Sequence, residues 1–345
     1  MKHRAGPLTV LAVPALLVAG CSVHTRSINA QTGVPPDDPA ATASQSGGAV
    51  TQGVAQGGAG ADSPRRISNG RLAFELEAPA GDHTQHDIYT VTPSGTDLRA
   101  LTNTPDENEF APAWNATGTK IAFWRAPAPF GPGSIWTMDA DGTHQRRLTT
   151  GIDARDPVWS PDATRLAFTL VDATGFHVWS MSASDGVDRR PITSGPTLDF
   201  EPAWSPDGTR IAFTRGLEQG DPGNICVINL KTGTITVLAA SPEYDHQVAW
   251  SPDGKRIVFE RDFGSSFSIY TVNADGSHVT RLTAGPYFDV GPTFSPDGHY
   301  IAFGSDRAGT FLDDLWVMTA HGHQLHRLLE GPYSEAFPDW QPLWR

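Results

Sequence analysis

A chain of 345 residues carries 38 acidic against 25 basic side chains, for a formal charge of −13. That balance argues against nucleic acid or an anionic lipid surface as a natural partner. With only two cysteines, Cys21 and Cys226, no disulfide framework can staple the folded part, and roughly 280 residues suffice for a core that holds without one.

The chain opens on the basic residues Lys2, His3 and Arg4, then a mostly apolar run from Leu8 to Ala19. Such a run is too short for a stable transmembrane helix, so residues 1–20 read as an export signal. It ends in Leu17-Val18-Ala19-Gly20-Cys21, which resembles the lipobox of bacterial lipoproteins. The resemblance implies lipidation at Cys21, with the membrane met through acyl chains alone. Residues 21–64 are rich in Ala, Gly, Gln, Ser, Thr and Pro and show no apolar periodicity. They read as a flexible tether.

Residues 65–345 repeat one phrase. Its clearest copy is Pro202-Ala203-Trp204-Ser205-Pro206-Asp207-Gly208-Thr209-Arg210-Ile211-Ala212-Phe213. The opening aromatic recurs at Trp114, Trp159, Trp204, Trp250, Phe294 and Trp340, spaced 44 to 46 residues. The closing phenylalanine recurs at Phe74, Phe123, Phe168, Phe213, Phe259 and Phe303. A period in the mid-forties, built of short strands and Gly turns, predicts an all-β propeller of four-stranded blades. Strand A holds Pro-x-Trp-Ser, and a Ser-Pro-Asp-Gly turn leads into strand B, Arg-Ile-Ala-Phe. Strand C follows a variable loop, as in Ile135-Trp136-Thr137-Met138. A hairpin such as Asp139-Ala140-Asp141-Gly142 then turns into strand D, which ends on Leu-Thr. Those two aspartates lack the bidentate Glu of a calcium loop and read as a hairpin turn.

The end copies are incomplete. Ile67 to Phe74 supplies strand B without a preceding Pro-x-Trp, and Phe337-Pro338-Asp339-Trp340 is a strand A with no B after it. Joined, they give six blades, with the C-terminal strand closing the ring. Cys226, in Ile225-Cys226-Val227-Ile228, reads as a buried inert thiol.

These repeats resemble the PD40 repeats of the TolB family, WD40-like propellers of the bacterial envelope, from Ile67 to Trp340. The resemblance implies a protein-binding or scaffold role and a cell-envelope location, at the cell membrane or the outer membrane. TolB proper has a further N-terminal α/β domain, for which residues 21–64 have the wrong composition. The expectation is therefore a TolB-like propeller on a lipid tether, with a protein partner.

Two features belong to the face where loops enter strand A and join B to C, where binding residues gather. Five positions before the strand-A aromatic stand Glu109, Asp199, Asp245, Asp289 and Glu335, with Ala154 in the sixth copy. Asp156 and Glu201 add carboxylates two residues later. A ring of carboxylates at the channel mouth would attract a cation, most plausibly Ca2+, as the family resemblance also implies. The alternative is pairing with Arg125, Arg215 and Arg261, two residues after the strand-B Phe. The B–C loops also carry Phe130, Phe176, Phe263, Phe267 and Phe311, which are candidate partner anchors. No Gly-x-Ser-x-Gly or His-Glu-x-x-His stands in the chain, so no catalytic residue, cofactor or enzyme activity is expected. The competing class is a carbohydrate-active or peptidase-related enzyme working on the channel face, for which His83, His86 and His246 are the metal or lyase candidates.

Overall fold

The computed structural model describes residues 67–80, 83–127, 131–216, 223–309 and 312–344, and these form strands and turns alone. Cys21, Phe130, Phe311 and the spans 1–20 and 21–64 lie outside the described residues.

The chain first lays down β1 (Ile67–Ala80), β2 (His83–Val91) and β3 (Arg99–Ala100). Blade 2 is β4 (Glu107–Trp114), β5 (Lys120–Pro127), β6 (Ser134–Asp139) and β7 (Arg146–Arg147). Blade 3 is β8 (Asp153–Trp159), β9 (Arg165–Asp172), β10 (Gly175–Ser182) and β11 (Arg190–Pro191). Blade 4 is β12 (Leu198–Trp204), β13 (Arg210–Gly216), β14 (Asn224–Asn229) and β15 (Ile235–Ala239). Blade 5 is β16 (Tyr244–Trp250), β17 (Arg256–Asp262), β18 (Phe267–Asn273) and β19 (Thr280–Arg281). Blade 6 is β20 (Asp289–Phe294), β21 (Tyr300–Ser305), β22 (Asp314–Thr319) and β23 (His326–Arg327). The last strand, β24 (Ser334–Trp344), returns to pair antiparallel with β1, so blade 1 has the order β24-β1-β2-β3. The expected six-bladed propeller with C-terminal closure is the fold.

Period-two alternation fixes which residues enter the core. The strand-B phenylalanines Phe74, Phe123, Phe168, Phe213, Phe259 and Phe303 are all completely buried. Each faces a strand-C partner across the ladder, Tyr89, Trp136, Trp179, Cys226, Tyr270 or Trp316 in turn. Removing a buried Phe typically costs about 3–5 kcal/mol. Cys226 is buried and free, and burial pushes its thiol up to about 11.

The Ser-Pro-Asp-Gly turn closes on itself. Asp207 accepts from Ser205 Oγ at 2.6 Å and from the Thr209 N–H at 3.0 Å, while the Arg210 N–H donates to Ser205 Oγ. Gly208 sits at φ 69°, where a side chain would be strained. Threonines of the Leu-Thr phrase have a distinct job. Oγ1 of Thr102, Thr149, Thr193 (which follows Ile192 rather than Leu) and Thr283 accepts a strand-C N–H of its blade, from Ile88, Ile135, Val178 and Ile269, at 2.8–3.0 Å. Without that acceptor each N–H would be buried unpaired.

One irregularity repeats in all six inner strands. Three residues before the aromatic, the chain bulges out of register with strand B. The residue there has positive φ in every blade: Ala111, Asp156, Glu201, Gln247, Gly291 and Phe337, at 48° to 59°. At Gly291 the neighbouring blade comes close. A Cβ there would meet the Phe337 backbone Cα at 2.8 Å.

Candidate functional site

The six inner strands wall a central cavity of about 320 Å³. Its lining comes from equivalent positions in every blade, from the bulged residue to the strand-A aromatic. The wall is thus a collar of Pro112, Pro157, Pro202, Pro292 and Pro338, with the tryptophans behind it and three carboxylates, Asp156, Glu201 and Asp339. Burial raises all three, Asp156 to about 6 and both Glu201 and Asp339 to about 7.

The bulge explains this placement. It turns the peptide N–H of the left-handed residue towards the neighbouring blade. Ala111 donates to Glu75 Oε1 at 2.6 Å, Gln247 to Glu201 Oε2 at 2.9 Å and Gly291 to Glu260 Oε2 at 2.7 Å. Asp339 accepts the Trp114 N–H at 2.6 Å, tying blade 1 to blade 2. Bulged strands at such positions re-aim side chains, and here they bring Asp156 and Glu201 to the channel.

The densest polar cluster lies behind Glu201. His246 Nε2 is 3.0 Å from Glu260 Oε1, and its Nδ1 is 4.0 Å from Glu201 Oε1. Burial alone would lower the imidazole, but the charges of Glu260 and Glu201 outweigh it and raise His246 to about 9. The ring is held edge-on by Tyr244 and Phe267. Gln247 Nε2 donates to Glu201 Oε1 at 2.7 Å and Thr214 Oγ1 to its Oε2 at 3.1 Å. The cluster therefore fastens blades 4, 5 and 6 by fixed hydrogen bonds.

Glu109, Asp199, Asp245, Asp289 and Glu335 are placed differently from a channel-mouth ring. All five are at most 1% exposed, and none lines the cavity. The first four meet arginines within their own blades. Arg215 grips Asp199 with two hydrogen bonds at 2.7 and 2.8 Å, and Arg261 grips Asp245 at 2.6 and 2.8 Å. Arg125 Nε lies 2.7 Å from Glu109 Oε1, within ion-pair range but out of line for a hydrogen bond. Burial pushes Glu109 up to about 8 against the pull of Arg125. Arg307 holds Asp289 together with Ser305. The repeat pattern does not reveal it, because Ser305 occupies the equivalent position and the arginine reaches back from two residues further on. Arg125, Arg261 and Arg307 also lie over the strand-C aromatics Trp136, Tyr270 and Trp316, at 4.3 to 5.5 Å.

Glu335 departs from that pattern. Its register partner on strand B is Leu76, where Glu109, Asp199 and Asp245 have an arginine and Asp289 has Ser305. Its Oε2 is buried without a hydrogen-bond partner. Burial, reinforced by Asp314 and Asp313, pushes it up to about 8.

The candidate anchors also redistribute. Phe267 opens β18 and is 3% exposed, in a core cluster with Val290 and Ala336, so it is not a surface anchor. Phe176 is half-buried on β10, its ring 6.0 Å from that of Phe200. Phe263 is half-buried beneath the Arg281 guanidinium, 5.2 Å away. His86 belongs to a separate contact with Phe110 in blade 2, and burial lowers it to about 4. Among the described residues, no group of three or more His, Cys, Asp and Glu is placed to hold a metal ion.

Comparison with known proteins agrees with this architecture. The model of the TolB beta propeller domain family, PD40, matches residues 179–343. The Tol-Pal system protein TolB 1 of Novosphingobium aromaticivorans is 42% identical over 74 residues, covering 21% of this chain and 16% of that protein. The crystal structure of TolB from Acinetobacter baumannii superposes with a TM-score of 0.66 at 21% identity, over 79% of this chain and 66% of that one. A putative TolB from Agrobacterium tumefaciens gives 0.62 at 20% identity, over 81% and 99%. These structures share the fold, and the matched segment spans about a sixth of the length of the Novosphingobium relative.

Proposed function

Starting from a TolB-like six-bladed β-propeller, we propose that this chain is a binding module of the bacterial cell envelope, exported, lipid-anchored at Cys21 and displayed on the tether of residues 21–64. Its relatives are named as Tol-Pal system proteins, and a protein partner is the reading for this chain too. The observation that carries it is the cavity wall. A proline collar, aromatic backing and the carboxylates Asp156, Glu201 and Asp339 suit an extended protein segment carrying a basic residue. Pockets of this kind bind through apolar surface with a few placed polar groups. The enzyme alternative needs an acid, a base and substrate groups meeting in one pocket. Here the cavity wall offers carboxylates without a base of another type, and His246 is engaged by Glu260 behind it.

The test is affinity capture from a cell-envelope extract with the full chain and a Val248→Arg variant, whose new side chain would enter the cavity. A protein enriched by the wild type and lost from the variant supports the channel as the binding site. Equal capture by both refutes it. Anchoring is read separately: Cys21→Ser should abolish lipid labelling and release the protein from the membrane fraction, and unchanged retention would contradict the lipobox reading.

A further inference from the structure

Six outer strands ring the propeller, and five of them are protected alike. β3, β7, β11, β19 and β23 are each two residues long, and each carries an arginine: Arg99, Arg146 with Arg147, Arg190, Arg281 and Arg327. Short, charged edges are how β proteins avoid pairing with other chains. The shortness has a local cause. Two residues after the hairpin glycine, these blades place Asp97, His144, Asp188, His278 or Gln324 at φ 52° to 56°. That second left-handed residue bends the chain and delays the start of the strand.

Blade 4 breaks the pattern. Two residues after Gly233 stands Ile235, whose branched Cβ resists the left-handed region, and its φ is not positive. β15 therefore starts at once and runs for five residues, Ile235-Thr236-Val237-Leu238-Ala239. No charged residue occurs from Thr232 to Pro242. The strand is last in its sheet, and Val237 is 54% exposed. A cavity of about 370 Å³ runs beside it, lined by Thr236 and Leu238 on β15, by Thr234 just before it, by Arg210 on β13 and by Ala274 and Asp275 from blade 5.

We infer that β15 is an interaction edge and that its occupant is the same edge of a second copy of this chain, paired antiparallel across a two-fold axis. Self-pairing sets each residue against its own strand, so it is the arrangement most sensitive to like charge. The five arginine-bearing edges would set arginine near arginine, and only the blade 4 edge escapes that repulsion. Pairing centred on Thr236 brings Ile235 of one copy opposite Val237 of the other, twice. Such β-branched cross-strand pairs favour a sheet and would cover the exposed Val237. For a chain with a formal charge of −13, an uncharged edge is also where two copies meet with the least opposition.

Sedimentation equilibrium of the full chain over a concentration series tests this. A monomer–dimer equilibrium is expected, weakened at least about tenfold by Val237→Lys. Val237 is exposed, so the variant should keep its fold, checked by an unchanged far-ultraviolet spectrum and melting point. Ile235→Asp, which restores the left-handed residue of the other blades, should weaken the dimer likewise. Val187→Lys, at an exposed hairpin residue of blade 3, should leave it unchanged. A monomer at every concentration overturns the inference. So does a dimer indifferent to Val237→Lys, or an edge found covered by a different protein in cross-linking of the full chain.

Discussion

At the scale of single residues, charge bookkeeping differs from blade to blade. Asp199 and Asp245 are buried carboxylates each held by a two-pronged arginine. Truncating one partner of such a pair leaves a buried charge and typically costs about 3–5 kcal/mol. Arg215→Ala should therefore lower the melting temperature clearly in a thermal scan, and a variant melting with the wild type would show that Asp199 is compensated otherwise. Since arginines already occupy these acids, millimolar calcium should leave the melting temperature unchanged. A rise with calcium would reveal a cation bound by the native state. Glu335 behaves in the opposite sense, because Leu76 stands where the arginine would be. Its carboxyl is raised from the ordinary 4.5 to about 8, so the folded chain keeps a proton that the unfolded chain releases. The stability linked to that proton is present in full below about 4.5, erodes as pH climbs, and is gone once pH has passed through about 8. Asp313 and Asp339, both raised to about 7, act in the same direction. The propeller should melt lower at pH 9 than at pH 6, by roughly 2–4 °C for each kcal/mol lost. Glu335→Gln should flatten that slope, and an unaltered slope would clear Glu335 of the effect.

The elements show what a linear pattern can and cannot carry. The strand-B Phe, the strand-A aromatic and the Ser-Pro-Asp-Gly turn were legible because each obeys a fixed spacing and a local rule, alternation or positive φ at glycine. The split first blade was legible for the same reason: Ile67–Phe74 lacks a partner phrase that Phe337–Trp340 supplies. The channel wall was not. A residue before proline is ordinarily read as extended, as Ala111, Asp156, Glu201 and Phe337 would be, and nothing local says that these or Gln247, before Val248, are left-handed. The clue was Gly291 at the sixth copy of that position. Without the bulge, acids five places before the aromatic project as a channel ring. With it, they face the strand-B side of their own blades, while Asp156 and Glu201 reach the cavity. The Leu-Thr phrase was visible, but its reason lies in the strand-C amide each threonine accepts. Thr149→Val keeps the shape and strands the buried Ile135 N–H, so it should cost about 1–3 kcal/mol. Chemical denaturation of the pair would read this directly, and a difference below a few tenths of a kcal/mol would mean that another acceptor takes the amide.

On the scale of the whole molecule, the ring is held by one strand that the chain adds last. β24 pairs with β1 from Ile67↔Trp344 to Glu77↔Ser334. It contributes Trp340, 6% exposed, to the core with Leu72, Phe74 and Leu76. It also contributes Asp339, which accepts the Trp114 amide of blade 2. Closure thus joins blade 1 to its own inner strand and to its neighbour at once. Deleting Phe337 to Arg345 removes a buried tryptophan, worth about 3–5 kcal/mol by itself, and strips β1 of its inner partner from Ile67 to Ala73, leaving only Ser334 to Ala336 paired with it. It also withdraws Phe337, Pro338 and Asp339 from the cavity wall. A domain typically holds only about 5–15 kcal/mol in reserve, so the truncated chain should melt far below the intact one or fail to fold. Blade 1 should lose amide protection first in hydrogen exchange, because its β1 becomes an exposed edge. If the truncated chain instead melts within a degree or two of the full one, β24 does not close the ring, and the cavity must be complete without it.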